Sequence, residues 1–248
     1  MTQERARAQE WYTSWFDTPY YHLLYRHRND NEAAAFIRRL CEYLNLPPKS
    51  KALDLACGRG RHARVMAELG LDVIGLDLSK ENIREARKSE HKYLHFFEHD
   101  MREVWKNRQF DVIFNLFTSF GYFDDPAEDA RVISSVASML KDSGYFVFDY
   151  LHAPYVQETF IPRDEKVEDD IHFFISRHIT EDWIIKQISF KDQEQEYRFF
   201  EKVRHYQPEQ LSSLLLKNGF EILRTFGDYE LNALENDSPR CIFVARKV

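Results

Sequence analysis

Apolar positions along the chain follow two rhythms, and the change between them predicts the architecture. Over residues 1–46 the pattern is helical, charged at first from Thr2 and then aromatic up to Phe16. Asn29 or Asp30 is placed to cap a helix in which Phe36, Ile37, Leu40 and Leu44 recur at spacings of three and four, one face of a helix. Pro47-Pro48 ends it. From Lys51 onward, short apolar runs alternate with helical stretches. Lys51–Cys57, Asp72–Asp77, Tyr93–Phe97, Phe110–Asn115 and Gly144–Leu151 read as strands. Between them lie a helix at Arg61–Leu69 closed by Gly70, and a second capped by Ser79 and running through Lys88. A third follows Asp125-Pro126-Ala127-Glu128, which has the spelling of a capping box, and buries Val132, Ile133, Val136, Met139 and Leu140. Such alternation implies a parallel sheet with helices on both faces.

Residues 152–206 break the pattern. Ile171–Ile179, Trp183–Phe190 and Glu196–His205 read as three long strands joined by short polar turns, hence antiparallel. They mix polar and aromatic residues, as in a sheet with one wet face. The Glu165–Asp170 run reads as a solvated turn. Pro208–Lys217 is then a helix with Leu211, Leu214 and Leu215 inward and Gly219 as its stop, followed by strands at Phe220–Phe226 and Cys241–Ala245. The expected organisation is an N-terminal helical lid at 1–46 and one α/β core at 47–248, with 152–206 as an antiparallel insertion over the active site.

Composition narrows the class. The 248 residues are 44% hydrophobic and 15% aromatic, which supplies a sizeable core and argues against disorder. Seven aromatics fall between Trp11 and Tyr25 and six between Phe110 and Phe123, the two segments expected to flank the active site. A net charge of −7 works against a nucleic-acid partner, because phosphates are bound by Lys and Arg. The cysteines (Cys41, Cys57, Cys241) are odd in number and lack metal-ligand spacing, which fits a reducing compartment. The N-terminus carries charge where a signal peptide has its apolar core, and no uncharged run approaches the roughly 20 residues of a membrane span. These features predict a soluble, cytoplasmic protein without a membrane partner.

The chemistry concentrates in Leu53-Asp54-Leu55-Ala56-Cys57-Gly58-Arg59-Gly60-Arg61-His62, a strand, a glycine turn and a helix start. Glycines allow close backbone approach to a ligand, and the helix N-terminus offers free N–H groups. Gly58-x-Gly60-x-x-Ala63 also fits the loose dinucleotide fingerprint of an NAD-type oxidoreductase. Three features favour a nucleoside with a cationic tail instead. Asp54 lies inside the first strand, where a pyrophosphate gains nothing from it. Asp77 ends the second strand, placed for ribose hydroxyls. Asp100-Met101 follows the third, where a carboxylate and an apolar side chain meet a base.

With these motifs in order, the chain resembles the class I S-adenosylmethionine-dependent methyltransferases. The resemblance covers LDLACGRG at 53–60, GLDLS at 75–79, HDM at 99–101, FDVIFNLF at 110–117 and YQPEQLSSLLLKNGFE at 206–221. It implies a Rossmann-like seven-stranded sheet and S-adenosyl-L-methionine as cofactor. It further implies Asp54 near the methionine amino group, Ala56 and Gly58 along the methionine side, Asp77 and Leu78 at the ribose, and Asp100 with Met101 around adenine. Asn115 and Leu116 would close the pocket from strand four. Ala56 departs from the commoner glycine. A narrower resemblance lies in Tyr21-His22-Leu23-Leu24-Tyr25 with Arg28 and Glu32, which is similar to the entry helix of amino-sugar N,N-dimethyltransferases and of the glycine/sarcosine type. It implies a small-molecule acceptor and a lid tyrosine over the methyl donor, Tyr25 first and Tyr21 second.

Methyl transfer is a direct displacement, so the protein mainly aligns the reactants and keeps water out. Groups beyond strands four and five are candidates to meet the acceptor, an amine or a hydroxyl. These are Thr118, Ser119, Tyr122, Asp149 and His152. Tyr122 is placed to orient the acceptor and His152 to accept a proton. His91, His95 and His99 read as structural, and no metal is expected. An oxidoreductase and a protein-directed methyltransferase stand as the alternatives at this stage.

Overall fold

The computed structural model describes residues 11–26 and 30–248. Arg28, Asn29 and the stretch before Trp11 lie outside the described residues, as does the capping side chain at position 30. Helices α1 (Trp11–Trp15) and α2 (Pro19–Leu24) precede α3 (Asp30–Tyr43). The core alternates β1 (Lys51–Leu55), α4 (Arg61–Glu68), β2 (Asp72–Asp77), α5 (Lys80–Ala86), β3 (Leu94–Glu98), β4 (Phe110–Asn115), α6 (Pro126–Met139) and β5 (Leu140–Leu151). After α7 (Ala153–Glu158) come β6 (Arg163–Glu168), β7 (Ile171–Ile179), β8 (Trp183–Asp192) and β9 (Gln195–Arg204). Helix α8 (Pro208–Lys217), β10 (Phe220–Phe226) and β11 (Arg240–Lys247) complete the chain.

The seven-stranded sheet has the order β10-β11-β5-β4-β1-β2-β3. β5, β4, β1, β2 and β3 run parallel, and β11 is antiparallel to both β5 and β10. Apolar side chains cover both faces. On one, Phe36, Ile37 and Leu40 of α3 join Met66 of α4, Ile83 of α5 and Phe96. On the other, Val132, Ile133 and Val136 of α6 and Leu211 and Leu215 of α8 pack against Phe146 and Phe148. Among the described residues, no helix is long and apolar enough to cross a membrane.

Local chemistry sets the helix starts that matter here. Ser79 Oγ accepts the Asn82 N–H at 3.0 Å, as expected of a cap. Asp125 accepts the Ala127 N–H at 2.9 Å, but Glu128 turns away to Arg102 at 2.7 Å, so the predicted capping box closes on one side only.

The structure revises four expectations. β1 stops at Leu55 because Ala56 turns left-handed, at φ +60°. The Ser79-capped helix ends at Ala86 and continues as a 3₁₀ turn. The insertion has four strands: Arg163–Glu168 is β6, paired antiparallel with β7, and not a solvated turn. It is an edge strand, where charges protect against further pairing, so its sequence looks like a loop. Last, the helices expected at 1–46 do not act as one lid. α3 packs on α4 within the core, whereas Trp11, Trp15 and Leu24 bury against Phe173, Ile175, Ile188 and Phe190 of the small sheet. Of that stretch, residues 11–26 pack on the small sheet.

Candidate functional site

The carboxyl ends of β1, β2, β3 and β4 open onto a cavity of about 400 Å³. Its floor is the turn after β1, where Ala56, Gly58 and Gly60 all take positive φ. The two glycines differ in purpose. A Cβ on Gly58 would meet no atom within 4 Å, so this position leaves room beside the cavity. A Cβ on Gly60 would lie 2.5 Å from the Phe96 ring, so that glycine serves packing beneath the turn.

Two carboxylates hold the floor. Asp77 Oδ2 accepts the Gly58 N–H at 2.7 Å and Oδ1 accepts the Ser79 N–H at 2.8 Å. Burial raises its pKa against these two bonds. Each carboxylate oxygen retains acceptor capacity for a further donor. Asp54 Oδ2 accepts the Ala63 N–H at 3.1 Å. Burial pushes Asp54 up to about 7; the Asp77 charge acts in the same direction, and Ala63 and Arg61 oppose it. Such a group regains its charge when a cation arrives. At the end of β3, Arg102 grips Asp100 through Nε at 3.0 Å and Nη2 at 2.6 Å. Burial favours the neutral acid here, but the Arg102 bonds outweigh it and hold Asp100 below its usual range.

The roof is aromatic. Tyr12, Phe16, Tyr21 and Tyr25 line the cavity from α1, α2 and their flanks, and Tyr122 and Phe123 line it from the loop after β4. Tyr25 Oη donates to Glu201 of β9 at 2.6 Å, and Lys186 of β8 donates to Tyr25. Trp15 Nε1 also donates to Glu201, at 2.8 Å. The roof meets the floor where Ser79 bonds Asp17 and where His22 Nε2 lies 3.2 Å from Asn82 Oδ1. Tyr122 donates to the Thr118 carbonyl at 2.8 Å and stacks on Tyr12.

The structure therefore brings together Tyr21, Tyr25, Asp54, Ala56, Gly58, Asp77, Leu78, Asp100, Met101, Leu116 and Tyr122. It leaves out four expected residues, Thr118, Asp149, Asn115 and His152. Asn115 is buried behind the wall, its Nδ2 donating to the Leu55 and Ser119 carbonyls at 3.1 Å, so it ties β4 to β1. His152 is buried with Nδ1 2.7 Å from the Ser238 carbonyl and does not line the cavity, so it is not placed to take a proton there. Sequence reading missed Phe117, His22, Arg61 and His62, which do line it. Arg61 and His62 open α4 directly after the glycine turn, and that position alone was a usable signal. Among the described residues, no group of three or more His, Cys, Asp or Glu is placed to hold a metal.

The fold and floor define a class: an α/β protein whose strand-end cavity, under an aromatic cover, has the shape and donor set suited to a nucleoside. The donor set fits S-adenosylmethionine, with open space at Gly58, spare acceptors on Asp77 and a buried carboxyl at Asp54 for a cationic tail. A family model described as a methyltransferase domain matches residues 25–225, and the chain belongs to that family, as an S-adenosylmethionine-dependent methyltransferase. This membership decides against the dinucleotide reading of the turn. YqeM of Bacillus subtilis is 30% identical over 228 residues, covering 82% of this chain and 86% of that protein. The dTDP-3-amino-3,4,6-trideoxy-alpha-D-glucopyranose N,N-dimethyltransferase of Streptomyces venezuelae is 33% identical over 104 residues, 42% of this chain and 43% of that one. The crystal structure of an S-adenosylmethionine-dependent methyltransferase from Clostridium acetobutylicum shares the fold, with TM-score 0.78 at 24% identity, covering 92% of this chain and 96% of that one.

Proposed function

We propose that the protein methylates an amine of a small molecule bound beneath the aromatic roof. The observation that carries this reading is the continuity of the cavity. One cavity touches Asp77 and Gly58 at the strand ends and Tyr12, Phe16, Tyr21, Tyr25 and Tyr122 at the cover. On the floor side, Asp77 would hold the ribose hydroxyls, Asp100, Met101 and Leu78 the adenine end, and Asp54 the amino group of the methionine tail.

S-adenosylmethionine supplies a methyl group already activated on a sulfonium. The chain's own work is to align the acceptor and exclude water. The roof aromatics suit both tasks, since they shed water and their faces attract cationic groups. An amine needs only a free lone pair, whereas a hydroxyl needs a base. Two of the imidazoles lining the cavity are poor bases: burial lowers His22 to about 4 and His62 to about 3; the third, His99, has its Nε2 engaged by the Glu103 carbonyl at 2.8 Å. The amino-sugar dimethyltransferase relative supports an amine acceptor.

The test is a screen of amino sugars, amino acids and hydroxyl compounds with methyl-labelled cofactor. Label on small amines is expected; label found only on hydroxyl compounds or only on protein overturns the reading. Asp77→Ala is expected to weaken S-adenosylhomocysteine binding about tenfold or more, since an unsatisfied buried partner costs about 1–3 kcal/mol. Calorimetric affinity equal to that of the parent would mislocate the ribose.

A further inference from the structure

The loop after β4 contains a strained turn. Phe117 and Thr118 are both left-handed, at φ +60° and +61°. A Cβ disfavours this region, and β-branching makes threonine a stronger outlier. Such conformations persist where the surroundings over-determine them, and they gather at ligand sites.

The surroundings here are a buried charged pair. Asp149 of β5 is fully buried, and Arg240 at the start of β11 approaches it to 2.7 Å. Asp149 Oδ2 accepts the Phe117 N–H at 2.7 Å, and the Asp149 carbonyl accepts the Thr118 N–H at 3.1 Å. Arg240 donates through Nε to Asp149 at 2.8 Å and through Nη2 to Thr118 Oγ1 at 2.9 Å. Tyr229 donates to Asp149 Oδ2 at 3.2 Å, and its ring stacks on Phe117 at 5.1 Å. A buried ion pair repays its desolvation only with further hydrogen bonds. Here two such bonds, one from each partner, go to a single two-residue turn, and the Asp149 backbone carbonyl adds a third.

The turn in turn fixes a cavity wall. Phe117 lines the cavity, with its ring 5.1 Å from His62 and under the Arg61 guanidinium at 4.6 Å. Arg61 and His62 are the first residues of α4, whose N-terminus ends the glycine turn. Phe117 thus joins the loop after β4 to the floor of the site.

We propose that Asp149 and Arg240 are positioning residues for the cofactor: they hold Phe117–Thr118 left-handed and so set Phe117 against the start of α4. This rests on the reading of the cavity as the cofactor site. A plain core ion pair would affect stability alone. A positioning pair affects affinity in a way that glycine at 118 restores, because glycine takes a positive φ unaided.

The experiment titrates S-adenosylhomocysteine by calorimetry into the parent, Arg240→Gln, Thr118→Gly and the double variant, with thermal midpoints alongside. Arg240→Gln is expected to weaken binding at least tenfold. Adding Thr118→Gly is expected to recover at least threefold of that while the midpoint stays lowered. Affinity of Arg240→Gln within twofold of the parent overturns the proposal, as does a loss that Thr118→Gly leaves unchanged. If Arg240→Gln does not fold, Arg240→Lys, which keeps the charge but not the forked geometry, is read on the same scales. Asp77→Ala separates the two failures. If it leaves affinity intact, the cavity reading fails; if it weakens binding while Arg240→Gln does not, only the positioning role fails.

Discussion

Asp54 is the residue whose environment makes the sharpest demand. Its pKa stands near 7, raised by burial, with the Asp77 charge adding and Arg61 and the Ala63 N–H opposing. The folded value lies above the unfolded one, so the group favours the folded state most below about pH 4. That contribution falls as pH rises through about 7, by at most about 4 kcal/mol for three units. Asp54→Asn is therefore expected to flatten the decline of stability between pH 5 and 8, measured by denaturant midpoints. A cationic group beside Asp54 lowers its pKa, so binding of S-adenosylhomocysteine near pH 6 is expected to release a proton. Calorimetry in buffers of different ionisation enthalpy checks this; equal apparent enthalpies in all buffers would remove Asp54 from the tail site. The cavity position of Asp54 was legible because a carboxylate inside a strand, one turn before glycines, has few structural uses. Asn115 and His152, by contrast, do not line the cavity. A strand end fixes where the backbone arrives, but the carbonyls of Leu55 and Ser119 hold the Asn115 side chain and that of Ser238 holds His152.

At the level of elements, the parallel core was legible because its signals are local: short apolar runs, a glycine turn into α4, and side-chain caps at Ser79 and Asp125 that open α5 and α6. The edge strand β6 was not, since its exposed charges follow from its position and resemble a turn. The role of α3 was not legible either, because an apolar helix face does not say which layer it will meet. The insertion shows a further long-range feature. β8 and β9 place Lys186 and Glu201 opposite one another, and both reach Tyr25 of the cover. The Tyr25 hydroxyl is thus held by the small sheet. Glu201→Gln is expected to cost about 1.5–3 kcal/mol of stability, the range for hydrogen bonds to a charged group. It is also expected to lower turnover in parallel with Tyr25→Phe. A double variant whose turnover equals that of either single one would show a shared route; fully additive losses would show that Glu201 acts apart from Tyr25.

At the scale of the whole molecule, cover and core are joined through the cavity they share. The cover rests on the small sheet through the Trp11 and Trp15 cluster, and touches the core floor at Ser79 and Asn82. A ligand filling the cavity contacts both bodies, so its binding energy adds to the stability of the assembled state. At a concentration a hundred times its dissociation constant, S-adenosylhomocysteine is expected to add about 2.7 kcal/mol to unfolding. For a chain of this size that is a rise of roughly 5–10 °C in thermal midpoint, growing with the logarithm of ligand concentration. The tryptophans supply a local check, because Trp11 and Trp15 lie in the cover and are buried at 4% and 0% exposure. Amide hydrogen exchange over residues 11–26 is expected to slow on ligand binding at least as much as exchange in α6, which lies on the far face of the sheet. Protection confined to the glycine turn, with residues 11–26 unchanged, would mean that ligand binding leaves the cover untouched.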